Sequence, residues 1–160
     1  MKPNLYILIG APGSGKSTFA AHFANNGNTI WISRDHIRFR YLDKNPNAHY
    51  FDFENEVYND FINEIVAALR NNYNAVADAT HLNTAARKKL TNAIDKYYTD
   101  YNIIYIIFLA SAEVCIEHNK NRVGHANVPE DVIRDMRAKL TIPKNEDTRA
   151  TDIWYIEGEV

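Results

Sequence analysis

The 160-residue sequence has a single cysteine, little net charge and no long hydrophobic run. Because Cys115 has no second cysteine to pair with, an internal disulfide is excluded, and we expect a protein of a reducing compartment, the cytoplasm. Only the five apolar residues 5–9 precede Gly10, too few for a signal peptide or a membrane span, so we expect no membrane association. The net charge of −2 excludes bulk binding of nucleic acid by charge alone.

Short apolar runs alternate with helical patterns along the chain, which is typical of βαβ units with a parallel sheet. Strands are predicted over residues 5–9, 29–32, 75–79, 103–110 and 152–156. Helices are predicted over residues 15–24, 54–71, 83–98, 111–121 and 129–140. The sequence has no internal repeat, low-complexity tract or linker, so we expect one domain over residues 1–160. Three long polar loops are expected to cover a site, at residues 44–53, 123–128 and 142–151.

A phosphate-binding motif lies between the first predicted strand and the first predicted helix. It reads Gly-Ala-Pro-Gly-Ser-Gly-Lys-Ser and matches G-x-x-x-x-G-K-[ST] in full. Glycines let backbone N–H groups turn inward around phosphate oxygens, and the helix N-terminus adds partial positive charge. Lys16 is expected to reach the β- and γ-phosphates of ATP, and Ser17 to offer its hydroxyl to Mg²⁺. The predicted nucleotide-binding residues of this segment are Gly10, Ala11, Pro12, Gly13, Ser14, Gly15, Lys16, Ser17 and Thr18.

The motif and the strand pattern together predict an α/β fold of the three-layer P-loop NTPase type. It would have a mostly parallel five-stranded sheet with helices on both faces. In such folds ligands bind at the carboxyl ends of the strands, so the residues that follow each predicted strand are the candidate site residues.

The second predicted strand leads into Ser-Arg-Asp-His-Ile-Arg, which contains Asp35 and Arg38. These two side chains are three residues apart at the start of a helix and would share one face. Asp35 can accept the proton of an attacking hydroxyl as a catalytic base, while Arg38 can bind an acceptor phosphate through its planar fork. The alternative is that Asp35 only caps the helix and Arg38 is its solvated partner.

The third predicted strand ends at an acid, Asp78, in the place of a Walker-B-type carboxylate. We expect Asp78 to hold Mg²⁺ together with Ser17, or to orient the acceptor, because a buried aspartate without a partner is costly. Thr80 and Asn83 can add hydrogen bonds to the acceptor. His81 is expected to be an ordinary surface or loop residue without a function.

A basic segment between two predicted helices is a candidate lid, at about residues 118–128. Arg122 on such a mobile segment would meet the charge that develops on the transferring phosphoryl group, and would contribute to both ATP binding and catalysis. The alternative is that Arg122 belongs to a solvated basic helix end, which the helix dipole favours.

Taken together, these segments resemble the kinase module of bacteriophage polynucleotide 5′-hydroxyl kinases. The resemblance spans roughly residues 5–140, and its segments occur in the same order with similar spacing. They are Gly10-x-Pro12-Gly13-Ser14-Gly15-Lys16-Ser17-Thr18, Arg34-Asp35-x-x-Arg38, Thr80-x-Leu82-Asn83, and Arg122-x-Gly124 with Val128-Pro129-x-Asp131-Val132.

The resemblance implies an activity: transfer of the γ-phosphate of ATP, with Mg²⁺, to the 5′-hydroxyl of DNA or RNA. It implies that Asp35 is the general base and that Arg38 binds the 3′-phosphate of the acceptor. It further implies that Lys16, Ser17 and Arg122 stabilise the ATP phosphates, and that Thr80 contacts the acceptor.

The chain also departs from the family pattern. His118 stands where the family has an earlier lid arginine, which leaves less charge to neutralise the phosphates. Asp78 stands two residues before Thr80, whereas some members place the acid one residue before. The Asp-x-Asp-Gly-Thr motif of an appended phosphatase domain does not occur in the sequence, so 3′-phosphatase activity is not expected.

Two other functions remain open on the sequence alone. A kinase of the same architecture can act on a nucleoside, sugar or antibiotic hydroxyl, and an ATP-binding module can act as a switch without transfer. The aromatic residues near the first polar loop can stack on a base, although we expect at least two of them to pack in the core: Tyr41, Tyr50, Phe51 and Phe53. DNA or RNA preference and a homo-oligomeric state are likewise left open.

Overall fold

Five parallel strands form one sheet in the computed structural model of the protein, which describes residues 1–157. The strands are β1 (Asn4–Ile9), β2 (Thr29–Ser33), β3 (Asn74–Asp78), β4 (Asn102–Phe108) and β5 (Ala150–Ile156). Their order across the sheet is β2-β3-β1-β4-β5, and all four neighbouring pairs are parallel. The predicted α/β sheet is therefore confirmed. Residues 158–160 of the predicted domain lie outside the described residues.

Six α-helices connect and cover the strands. They are α1 (Lys16–Phe23), α2 (Arg34–Lys44), α3 (Glu54–Arg70), α4 (Thr84–Asp95), α5 (Ala112–Asn119) and α6 (Glu130–Lys139), with a 3₁₀ turn at Gly124–Ala126. In the part of the chain that is described, none of these helices has the length and apolarity needed to cross a bilayer. The strongly periodic α3 lies within one residue of its predicted bounds, because its apolar stripe faces the core.

Alternating side chains of β1 supply both faces of the sheet. Leu5, Ile7 and Ile9 join one buried cluster that includes apolar residues of α3 and α4, while Tyr6 and Leu8 join a second cluster with residues of α1. This is the two-sided burial expected of a central parallel strand. It confirms the prediction that helices cover both faces.

The segment after β3 packs against the C-terminal end of β1. Gly10 N–H donates to the Thr80 carbonyl at 3.0 Å, and His81 Nδ1 lies 2.9 Å from the Leu8 carbonyl oxygen. A carbonyl only accepts, so Nδ1 carries the proton. His81 is buried but lies in a loop, so the prediction of a surface or loop residue is wrong only about its exposure. Its left-handed backbone (φ 44°) turns the chain inward here, beside Phe61.

The loop between α6 and β5 is fixed to α4 by a buried ion pair. Arg87 and Glu146 are 1% and 4% exposed, and two N–H groups of Arg87 bind the two carboxylate oxygens at 2.7 and 2.9 Å. Arg87 also donates to the carbonyls of His81 and Thr141. This part of the predicted flap at residues 142–151 is therefore a brace between elements.

Candidate active site

The predicted phosphate loop follows β1 and leads into α1, as its mechanism requires. Gly13 and Gly15 have φ values of 83° and 98°, in the region that favours glycine. A Cβ at Gly13 would lie 2.3 Å from the backbone oxygen of Cys115, so the loop packs directly against α5. Thr18, the last predicted nucleotide-binding residue, lies exposed on α1.

Lys16 lies at the centre of the site. Its ammonium group is buried and donates to the carbonyl oxygens of Gly10 and Ala11, each at 2.9 Å. Burial lowers its pKa, the carboxylates of Asp78 and Asp35 oppose that shift, and Arg122 adds to it. Three predicted site residues from β3, α2 and the candidate lid therefore place their charges around this lysine.

The two predicted metal ligands lie together. Ser17 donates its hydroxyl to Oδ2 of buried Asp78 at 3.1 Å, and Trp31 Nε1 donates to the same oxygen at 2.9 Å. An oxygen pair of this kind fits Mg²⁺, which binds proteins through few ligands and takes the rest from water and phosphates. Trp31 was not predicted, since an indole on a strand carries no motif.

A buried polar atom also fits a phosphate ligand. The hydroxyl oxygen of Ser14 has no hydrogen-bond partner among the described residues. It lies 2.5 Å from the position that a Cβ on residue 10 would occupy, so only glycine fits there. A buried hydroxyl without a partner is costly. A phosphate oxygen in the loop would be an acceptor for this hydroxyl, which agrees with the nucleotide-binding prediction.

Asp35 and Arg38 share one face of α2, as predicted. Ser33, and not Asp35, caps this helix, because its hydroxyl accepts the N–H of His36 at 3.2 Å. Arg38 is buried, donates to Asp35 at 2.5 Å and binds both carboxylate oxygens of Glu54 at 2.7 and 2.8 Å. The alternative of a capping Asp35 with a solvated Arg38 is wrong.

Glu54 stabilises the charged guanidinium of Arg38. Burial alone would lower the pKa of Arg38, but the hydrogen bonds and charge of Glu54 raise it above its ordinary value. In return, Arg38 lowers the pKa of Glu54. Glu54 was not predicted, because the irregular segment between α2 and α3 gives it no fixed spacing from Arg38; its only sequence signal is an acid in the first turn of a helix.

Aromatic rings surround the Arg38 guanidinium. Its carbon lies 4.9 Å from the ring centroid of Tyr50 and 5.8 Å from that of Phe51, which is 69% exposed. His125 of the candidate lid stacks on Phe39 at 5.8 Å and lies 6.4 Å from Tyr50. Of the four aromatics considered in the sequence, the other two stack on each other against the core: Tyr41 and Phe53.

The candidate lid is attached at both ends. Asn119, at the end of α5, donates to the Val128 carbonyl at 2.6 Å and accepts the Val128 N–H at 2.9 Å. His118 Nδ1 lies 2.9 Å from the Gly13 carbonyl oxygen, so this histidine contacts the phosphate loop itself. Between these anchors, half-buried Arg122 carries its charge toward Lys16.

The remaining two predicted acceptor contacts differ in their placement. Thr80 is half-buried beside Gly10 at the end of the phosphate loop. Asn83 is exposed and caps α4, since its side-chain oxygen accepts the N–H of Ala86 at 2.8 Å. Its side chain therefore has a structural use that does not require an acceptor.

A family model described as an AAA domain matches residues 5–143. The chain belongs to this family. The match covers the phosphate loop, Asp35, Arg38, the candidate lid and α6, so every part of the candidate site lies within the AAA domain. The resulting α/β fold is of the P-loop kinase type.

Solved structures resemble this AAA domain. A chain of the Pnkp1/Rnl/Hen1 RNA repair complex is 25% identical with a TM-score of 0.73, covering 87% of this chain. Our chain spans only 44% of that chain's length. A fungal RNA kinase is 12% identical (TM-score 0.70; 99% and 77% of the two chains), and a gluconokinase from Sinorhizobium meliloti 1021 is 18% identical (TM-score 0.58; 98% and 83%).

Among these neighbours, the chain of the RNA repair complex confirms the resemblance to polynucleotide kinases that the motifs predicted, while the fungal RNA kinase, at 12% identity, shows the shared fold. They include a sugar-acid kinase as well. The AAA domain therefore has a nucleotide-binding kinase fold. The fold alone does not determine the acceptor, which depends on the residues of the site.

Proposed function

We propose that this AAA domain is an ATP-dependent kinase that transfers the γ-phosphate to the 5′-hydroxyl of DNA or RNA. The observation that carries the proposal is that Asp35, held by buried Arg38, lies close enough to Lys16 of the phosphate loop for its charge to act on that lysine. A non-catalytic switch has no use for a fixed carboxylate in that position.

Each residue would have a distinct part in the reaction. When bound, ATP–Mg²⁺ supplies the phosphoryl group, with Ser17 and Asp78 as the residues that would hold the metal. Asp35 would accept the proton of the attacking hydroxyl, whose oxygen forms the new bond to phosphorus while ADP departs. Lys16 and Arg122 would stabilise the charge on the transferring group, which is the main contribution proteins make to this chemistry.

Arg38 supports an acceptor that already carries a phosphate. A guanidinium has five N–H donors, and four of those on Arg38 have partners within residues 1–157: Glu54 takes two, and Asp35 and Tyr50 one each. The fifth, on Nη2, is free for a ligand. We propose that it binds the 3′-phosphate of the terminal nucleotide.

The aromatic residues favour an acceptor that carries a base, such as a nucleic acid, over a sugar. Phe39, Tyr50, Phe51 and His125 present rings beside the proposed hydroxyl site, and rings stack on bases with little sequence preference. A sugar or sugar acid offers no base for such stacking.

We further propose that residues 1–160 form one kinase domain and that residues 118–128 are its lid. Because its one cysteine has no partner for an internal disulfide, we also propose that the protein acts in the cytoplasm.

The test is transfer of labelled γ-phosphate from ATP–Mg²⁺ to a panel of acceptors by the intact protein. We expect labelling of 5′-hydroxyl oligonucleotides and of a nucleoside 3′-phosphate, and far weaker labelling of the same nucleoside without its phosphate. Equal labelling of both nucleosides would contradict the role of Arg38. Labelling of gluconate or a sugar, with none of any nucleic acid, would replace the proposal by a small-molecule kinase.

A further inference from the structure

We propose that a groove between α3 and α4 binds the phosphodiester backbone of the acceptor strand, beyond the nucleotide that receives the phosphate. This inference rests on the proposed function and extends it. The lysine groove, as we call it, has a volume of about 450 Å³ and is lined by Tyr58 of α3, by Lys88, Lys89 and Asn92 of α4, and by Lys96 directly after α4.

The lysines form a stripe along one face of α4. Lys89, Asn92 and Lys96 follow helical spacing (i, i+3, i+7), Lys88 lies next to Lys89, and all three lysines are exposed. From Lys89 to Lys96 the helix rises about 10 Å, which is roughly three nucleotide steps at about 3.4 Å per step of a stacked strand. The stripe can therefore follow several consecutive phosphates.

The positive charge of the groove is not neutralised by neighbouring acids. Within residues 1–157, none of the three groove lysines takes part in an ion pair, whereas Lys2, Lys120 and Lys139 each have an acidic partner. Of the neighbouring acids, Glu54 already binds two arginines and Glu146 binds Arg87. A polyanion is the chemistry that fits such a surface.

The groove is continuous with the acceptor side of the site. Lys89 Nζ lies 4.5 Å from the ring centroid of Tyr58, and the guanidinium carbon of Arg34 lies 5.2 Å from the same centroid. Arg34 directly precedes Asp35, so one tyrosine links the proposed base to the lysine stripe. Two buried polar atoms at this junction have no partner among the described residues, Arg34 Nε and the Tyr58 hydroxyl.

The test compares Lys88→Gln/Lys89→Gln with a control of equal charge change, Lys2→Gln/Lys139→Gln, whose residues lie outside the groove. Steady-state kinetics would use a 5′-hydroxyl ten-nucleotide strand and a nucleoside 3′-phosphate as acceptors. Fluorescence anisotropy would measure binding of a 5′-phosphorylated ten-nucleotide strand, which cannot react, at several KCl concentrations.

We expect the groove variant to raise KM for the ten-nucleotide strand about tenfold and to leave KM for the nucleoside 3′-phosphate within about twofold. For this variant, the slope of log binding constant against log KCl concentration should be shallower by about 1.4. Each phosphate contact on a single strand contributes about 0.7 to that slope, and the variant removes two lysines. Lys88→Arg/Lys89→Arg should keep the native slope, and the control should match the native protein.

Equal salt slopes and equal KM values for the groove variant and the native protein would overturn the groove. So would a native protein that does not bind the ten-nucleotide strand. If the native protein binds the strand with the expected slope but labels no nucleic acid, the groove stands and the proposed kinase activity fails, so the two failures are distinguishable.

Discussion

The proposed donor side of the site, formed by residues 10–17 with Asp78, is held mainly by backbone geometry. The proposed acceptor side, formed by Asp35, Arg38 and Glu54, is held by ion pairs between side chains. On the donor side Gly13 and Gly15 both have positive φ, and direct backbone contact with α5 leaves no room for an extra carbon at Gly13. On the acceptor side one guanidinium connects two carboxylates.

This difference implies that the two sides should fail in different ways. A donor side built from main chain should respond to added volume, whereas an acceptor side built from charges should respond to lost charge. Because the phosphate loop serves any acceptor, damage to it should reduce every reaction equally. Damage to the acceptor side should depend on which acceptor is offered.

The largest expected effect is on the donor side, for Lys16→Met. Removing this ammonium group should lower kcat/KM about 10³-fold for every acceptor, since a preorganised charge near the transferring group is lost. The variant should fold normally, because burial lowers the pKa of Lys16 and so disfavours its charged form. Loss of activity with one acceptor but not another would contradict the claim that the phosphate loop serves every acceptor equally.

The free energy of unfolding should also fall in acid, because buried His81 holds the segment beside the phosphate loop to β1. Burial lowers the pKa of His81 from 6.5 to about 4, so protons bind the unfolded chain more readily than the folded one. The stabilisation is therefore complete above pH 6.5 and is lost as pH falls toward 4, by up to about 3 kcal/mol.

Urea unfolding between pH 7 and 4 would measure this loss. His81→Asn should make the dependence shallower by the His81 contribution and leave that of carboxylates such as Glu54, because an amide tolerates the left-handed backbone and does not titrate. A native protein whose unfolding free energy stays constant between pH 6.5 and 4 would contradict the assignment.

The next effect tests added volume directly, with Gly13→Ala. Its Cβ would overlap the Cys115 carbonyl, so the loop must move, and a displacement near one ångström should lower kcat/KM about 10²-fold for every acceptor. Gly27→Ala is the matched control, since Gly27 has a similar φ of 78° but open space around it. Equal losses of activity in the two variants would attribute the effect to backbone strain alone.

The smallest effect is expected on the acceptor side, for Glu54→Gln. Losing one charge partner of Arg38 should lower kcat/KM about tenfold for acceptors with a 3′-phosphate, in the range for hydrogen bonds to charged groups. ATP hydrolysis without an acceptor should not change. Glu64→Gln, which breaks the exposed pair with Arg40, is the control and should behave like the native protein. An equal loss of hydrolysis would place Glu54 on the donor side.

The same contrast between backbone geometry and side-chain contacts explains which features could be predicted from the sequence. The phosphate loop could be located from eight consecutive residues because its function depends on backbone geometry that glycine, lysine and serine at fixed positions specify. Asp35 and Arg38 could be paired because helical spacing relates them directly. Long periodic elements such as α3 were likewise predicted to within a residue.

What the sequence could not reveal depends on contacts across loops. Glu54 and His125 reach Arg38 and its surrounding rings from a second helix and from the lid, at no fixed distance along the chain. His81 was misassigned because burial of a polar ring depends on a free carbonyl in a distant strand. The lysine groove needs two helices to be placed side by side before its charges form one surface.

The most direct test of the central claim is the rate of labelled phosphate transfer to a 5′-hydroxyl oligonucleotide by Asp35→Asn, with Asp43→Asn on the same helix as the control. If Asp35 is the base, transfer should fall by at least about 10²-fold while ATP affinity stays within about twofold, and the control should match the native protein. Transfer by Asp35→Asn at the native rate would contradict the account.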